Sequence, residues 1–265
     1  MKQPYFKILI VLCITLIYAC ADAKKETTPA KTEKTEKPTQ KEEPVKPKEK
    51  VVENTKPAFG IDISFYQGNE IDDLEKSRDS IDFIICKATQ GTGIVDPMFQ
   101  HNWKVAKEKG FIRGAYHFYE SVNNPIAQAD FFIEQIKDIQ PNDLPPVVDV
   151  EGGGIERGQS IDNIQLSVLT LLKTIEERLG VKPIIYTNID FANQYLNNPE
   201  LANYPLWIAD YESQKAPVLP ITWQEKGYVL WQKSDTYKIQ GYTNDEDYFN
   251  GDLEALKTFI KESRL

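Results

Sequence analysis

From residue 59 onward, short apolar runs alternate with longer stretches of helical period, and this alternation constrains the fold more than any other feature of the chain. FGIDI (59–63), IDFIICKA (81–88), IRGAYHF (112–118), LPPVVDV (144–150), KPIIYTN (182–188), PLWIADY (205–211), GYVLWQK (227–233) and a weaker YKIQGYT (237–243) each read as a strand. MFQHNWKVAKEKG (98–110), PIAQADFFIEQIKDI (125–139), SIDNIQLSVLTLLKTIEERLG (160–180) and GDLEALKTFIKESRL (251–265) read as helices. Two of these end in Lys-Gly or Leu-Gly, which stops a helix, and Ser160, Asp162 and Asp252 stand where N-caps belong. Strand–helix alternation predicts an α/β fold with a parallel sheet, and about eight strands suit a closed barrel better than a doubly wound sheet. GIDISFYQG, at the first strand, carries no Gly-rich phosphate loop. Helices become scarce after residue 200. The expectation is an irregular TIM-like barrel, complete in its first half and joined by hairpins or loops in its second.

The residues ahead of this pattern differ in kind. Lys2 and Lys7 flank the start of ILIVLCITLIYA (8–19), an apolar run too short to span a bilayer as a mature helix. It ends in IYAC, so residues 1–19 read as an export signal, and Cys20 after small Ala19 resembles the acylated cysteine of bacterial lipoproteins. Residues 20–57 are dominated by Lys, Glu, Thr and Pro, with almost nothing apolar to bury, and read as a disordered linker. The globular domain is expected over 58–265. These features predict an exported monomer, anchored to the cell envelope, at the outer membrane, through lipid on Cys20 alone.

Charge and cysteine usage narrow the function. Residues 57–265 hold 19 Lys/Arg against 32 Asp/Glu, a net of −13. An acidic body lacks the basic face that phosphate binding needs, which argues against nucleic acid and suits a neutral or cationic substrate. Apart from Cys13 in the signal and Cys20, only Cys86 remains, so no internal disulfide can form and Cys86 reads as a small buried apolar residue.

In a barrel of this kind, chemistry gathers at the C-terminal ends of the strands. Here those ends carry Asp62, Tyr116 and His117, Asp149 and Glu151, Tyr186, Trp207 and Tyr211, Gln232, and, after the last strand, Asp245 and Asp247. Asp-x-Glu alone is a weak signal, because it also occurs at Asp73-Glu75 and Asp252-Glu254, which open charged helical stretches and read as solvated faces. PPVVDVEGGG (145–154) differs because the pair ends an apolar strand. Residues i and i+2 share a strand face, so Val148 and Val150 are expected against the helices and Asp149 and Glu151 in the barrel mouth. Two such carboxylates in a partly desolvated pocket disfavour double ionisation. One keeps its proton, as glycosidic bond cleavage requires. A structural pair held by Lys87 is the competing reading. A metal site has little support, since only His101 and His117 exist and neither has a neighbour at ligand spacing. The three glycines are expected to end the pleat without crowding a polymeric substrate.

GIDISFYQG, KATQGTGIVDPMFQHNWKVAKEKGFIRGAYHFY, PPVVDVE, PIIYTN, LWIADY, LWQ and DEDYFNG, in this order, resemble the family 25 glycoside hydrolases, the Chalaropsis-type lysozymes. The resemblance covers about residues 58–262. It implies a (β/α)5(β)3 barrel and N-acetylmuramidase activity on the β-1,4 bond between N-acetylmuramic acid and N-acetylglucosamine of peptidoglycan glycan strands, with no cofactor or metal. It makes Glu151 the general acid and Asp149, Asp62 and Asp245 its catalytic partners. It also places Tyr116, His117, Tyr186 and Gln232 along the substrate groove, where Trp207, Tyr211 and Asp247 are expected to join them. The family usually reads KATEG where this chain has Gln90. The alternatives are a lipid-anchored module that grips peptidoglycan without cutting it, and another N-acetylhexosaminidase such as a chitinase. Chitinases carry a longer acidic strand, and Val147 argues against that pattern.

Overall fold

The computed structural model describes residues 56–264, so the expected signal, Cys20 and nearly all of the expected linker lie outside the described residues. Seven strands run parallel, neighbour beside neighbour in chain order: β1 (Phe59–Ile63), β2 (Phe83–Gln90), β4 (Ile112–Phe118), β5 (Val147–Asp149), β6 (Ile184–Asn188), β7 (Leu206–Ala209) and β8 (Leu230–Ile239). β9 (Tyr242–Phe249) closes the ring, antiparallel to both β8 and β1. The two-residue β3 (Ile94–Val95) folds back on the end of β2, outside the ring. Helices follow the first five barrel strands: α1 (Lys76–Asp79), α2 (Phe99–Glu108), α3 (Pro125–Gln135), α4 (Ile161–Leu179) and α5 (Ile189–Tyr195). β7, β8 and β9 follow without any, and α6 (Leu253–Glu262) ends the chain, so the barrel is (β/α)5(β)3 as expected.

Two of the three expected caps act as such, while Asp162 lies inside the first turn of α4. Ser160 Oγ accepts from Asn163 N (3.3 Å), Asp252 Oδ1 accepts from Ala255 N (2.8 Å), and Gly180 takes the left-handed conformation that ends α4. α1 and α5, of four and seven residues, are too short for their period to show in the sequence.

The last strand is a correction. YKIQGYT does not form a strand but straddles a hairpin turn: Gln240 and Gly241 have φ of 50° and 93°, the pair of positive values that a tight hairpin requires. β8 runs on to Ile239, and the acidic NDEDYF lies within β9 rather than after the sheet. Asp has low strand propensity, and here barrel closure overrides it.

The two strand faces serve two cores. Phe83, Ile85, Val147, Ile184, Trp207 and Leu230 fill the barrel interior. Val148, Val150 and Ile185 point outward into the larger layer shared with Phe132 of α3 and Val168 and Leu172 of α4. This is the sidedness expected for the valines. Gly60 faces inward, where a Cβ would lie 2.3 Å from the Phe83 ring, so only glycine lets that ring fill the barrel beneath the site.

Candidate active site

At the C-terminal ends of the parallel strands, the inward positions open into one cleft. β1 supplies Asp62, β4 Tyr116, and β5 Asp149 with Glu151 two residues on. β6 and β7 supply Tyr186, Trp207 and the following Tyr211, and β8 and β9 supply Gln232 and Asp245. The four expected catalytic carboxyls therefore meet in one space. Asp245 reaches it because β9 runs antiparallel, which brings the start of that strand to the mouth.

A chain of hydrogen bonds orders one wall. The Tyr186 and Tyr211 hydroxyls both donate to Gln232 Oε1 (2.8 and 2.6 Å), and Gln232 Nε2 donates to Asp62 Oδ2 (2.7 Å). Tyr186 also packs edge-on against Trp207, with ring centres 4.7 Å apart. Gln232 is thus locked by its neighbours, and its amide N–H is committed to Asp62.

The carboxyls are crowded and poorly solvated. Burial raises the Asp149 pKa well above the usual value, and the neighbouring Glu151 charge adds to it. Burial also raises Glu151, though Lys87 opposes the rise at both acids. Asp62 is raised by burial and then by Asp245, and burial lifts Asp245 to about 6. These acids cannot all be charged at neutral pH. In the protein alone, burial favours the proton on Asp149 more strongly than on Glu151, whereas the sequence reading placed it on Glu151. Asp149 is 8% exposed and Glu151 is the more open of the two, at the cleft mouth. Glu151 is the member with room to meet a bridging oxygen.

Lys87 does not hold the acids as a structural ion pair. Its Nζ donates to Gln90 Oε1 (3.2 Å) and lies 5.0 Å from the centre of the Phe118 ring, and among the described residues no salt bridge joins it to Asp149 or Glu151. Gln90 Nε2 in turn donates to Glu120 Oε1 (2.8 Å). Sequence inspection missed Glu120, whose single acid gives no signal of its own.

Two expected groove residues do not line the cleft. His117 is fully buried between Thr89 Oγ1 (2.8 Å from Nδ1) and Gln128 Oε1 (3.1 Å from Nε2), and burial lowers its pKa to about 4. It is a neutral, satisfied imidazole under the wall, because the pleat turns it away from the face that Tyr116 occupies. Asp247 is also fully buried, below Asp62, and accepts from Trp207 Nε1 (2.9 Å). Of the three glycines, Gly154 departs from the expectation: a Cβ there would lie 1.9 Å from Tyr119 O, so close backbone packing requires glycine, whereas a Cβ at Gly152 would meet nothing within 4 Å. Among the described residues, no three His, Cys, Asp or Glu side chains form a group that could hold a metal ion.

Comparison with known proteins agrees with this geometry. The family model for glycosyl hydrolases family 25 matches residues 61–242. The protein YegX of Escherichia coli strain CFT073 is 35% identical over 209 residues, 76% of this chain and 72% of that one. Lysozyme M1 of Streptomyces globisporus is 31% identical over 216 residues, 77% of this chain and 71% of its own. Among solved structures, the bacterial lysozyme from Streptomyces coelicolor superposes with a TM-score of 0.70 at 27% identity, covering 79% of this chain and all of its own. With the barrel, the paired acids of β5 and the family match in agreement, the chain belongs to glycoside hydrolase family 25.

Proposed function

We propose that the protein is a peptidoglycan hydrolase that cleaves the β-1,4 bond between N-acetylmuramic acid and N-acetylglucosamine. The observation that carries this reading is the Asp149–Glu151 pair: two carboxyls at one strand end, both with raised pKa, lining a cleft walled by Tyr186, Tyr211 and Trp207. Lysozyme M1 and the other family relatives support the substrate class.

On this reading Glu151 protonates the leaving glycosidic oxygen. Asp149, behind it, stabilises the positive charge that develops on the sugar and orients its N-acetyl group. Asp62 and Asp245 hold the ring from the opposite wall. The aromatic rings receive apolar sugar faces, and Gln232 holds the Tyr186 and Tyr211 hydroxyls and Asp62 in place beside them. The N-terminal features complete the proposal: an export signal over 1–19, lipid on Cys20, and a linker that holds the enzyme at the envelope.

Digestion of purified peptidoglycan, with mass analysis of the new reducing ends, tests the assignment. N-Acetylmuramic acid at those ends is the expected result. N-Acetylglucosamine there would make the enzyme a glucosaminidase, and binding without any cleavage would make it a peptidoglycan-gripping module.

A further inference from the structure

Asp247 presents a problem that the cleft chemistry leaves unsolved. β9 places it opposite Gly60 of β1 and Gln232 of β8, below the cleft floor and fully buried. Its Oδ1 accepts from Trp207 Nε1, but its Oδ2 is buried and has no donor among the described residues. A carboxylate buried with one donor and a bare second oxygen is costly, and native structures avoid it. A carboxylic acid is different: its hydroxyl needs an acceptor, and Asp62, two residues beyond Gly60 on the same inward face of β1, is placed to provide one. The titratable groups facing Asp247 are Asp62 on β1 and Asp245 on its own strand, while β7 and β8 present the neutral Trp207 and Gln232. Among the described residues no salt bridge joins a cation to it.

We infer that Asp247 is a positioning residue that keeps its proton throughout the working range and donates it in a hydrogen bond to Asp62, forming the closed end of a chain Asp247–Asp62–Asp245. This hydrogen bond and that of Gln232 both favour the charged form of Asp62, against burial and the Asp245 charge. The two carboxyls that face the cleft are then left with a single negative charge between them. The acid on β9 acts as an amide would, accepting from Trp207 with one oxygen and donating with the other end. The inference rests on the proposed role of Asp62 in glycan cleavage.

The test compares Asp247→Asn and Asp247→Ala with the wild type, following kcat and KM against pH on peptidoglycan and the carboxyl carbons by NMR. The wild-type Asp247 carbon is expected to remain in its protonated form across the pH range of activity. Asp247→Asn should keep kcat/KM within about threefold with an unchanged pH profile, because its amide makes both hydrogen bonds. Asp247→Ala should lose about tenfold or more in kcat with little change in KM, the loss expected for one hydrogen bond to a charged group. Its acid limb should move to higher pH, because Asp62 without its donor holds its proton longer. An Asp247 carbon ionised at neutral pH, or an Asp247→Asn loss as deep as that of Asp247→Ala, would overturn the inference. If Asp247→Ala does not fold, the NMR titration and Asp247→Asn decide alone. If the wild type cuts no peptidoglycan, the functional reading fails, and the NMR titration still decides the proton on Asp247.

Discussion

Lys87 is the cation whose charge bears on both acids of β5, and Gln90 fixes where its ammonium sits. A carboxylate at position 90 would face Glu120, since the present amide donates to that group at 2.8 Å, and would also draw on Lys87. Added negative charge raises the pKa of nearby acids. Gln90→Glu is therefore expected to move the alkaline limb of the pH–activity profile upward, by less than about one unit, with the maximum rate little changed. A downward move, or none, would show that Lys87 does not tune the pair. Asp149, Glu151 and Tyr186 were legible in the sequence because strand period fixes which way they point. Lys87 and Gln90 also stood out, but Glu120 did not, because its contact with Gln90 joins the ends of β2 and β4 and leaves no local pattern. His117 misled for a related reason: its position at a strand end was read correctly, but its face was not.

The hairpin of β8 and β9 carries both Gln232 and Asp245, and it is fastened at three points to the segment after β1. Gln240 donates to Asp79, Tyr242 to Asp73, and Asn244 to the fully buried Glu70. Glu70 Oε2 and Asn244 Oδ1 are left without partners, two acceptors that one proton on Glu70 would reconcile. Burial raises the Glu70 pKa from the ordinary 4.5 to about 7. Its folded value is thus raised, so its stabilising contribution is full below pH 4.5 and is lost as pH rises through 7. Glu70→Gln keeps the hydrogen bond to Asn244 and removes the titration. The Tm advantage of that variant over the wild type is expected to grow as pH rises from about 5 to 8, as melts at a series of pH values would show. A variant less stable at pH 8 would refute the assignment. The sequence hid this fastening, since Glu70 lies in a charged stretch that reads as solvent-facing. It hid the hairpin as well, because three acids in β9 contradict strand propensity. The long helices α2, α3 and α4 were legible because each spans enough turns for its apolar period and caps to show.

At the scale of the whole molecule, the ring closes where β9 pairs with β1, Phe59 opposite Tyr248, so the barrel needs the chain from about residue 57. A chain starting at Lys56 is expected to keep the full-length Tm and full activity on soluble glycan fragments. One starting at Ser64 should not fold, because it removes β1 with Asp62 and opens the sheet. Cys20→Ser is expected to release the full-length protein from the membrane fraction without loss of activity, as fractionation of cells would show. Glu151 is proposed as the proton donor in glycan cleavage, and peptidoglycan digestion by Glu151→Gln decides the matter. A loss of about 10²–10⁴-fold in kcat at an unchanged Tm is expected, the range for removal of a general acid. Cleavage by Glu151→Gln at the wild-type rate would contradict it.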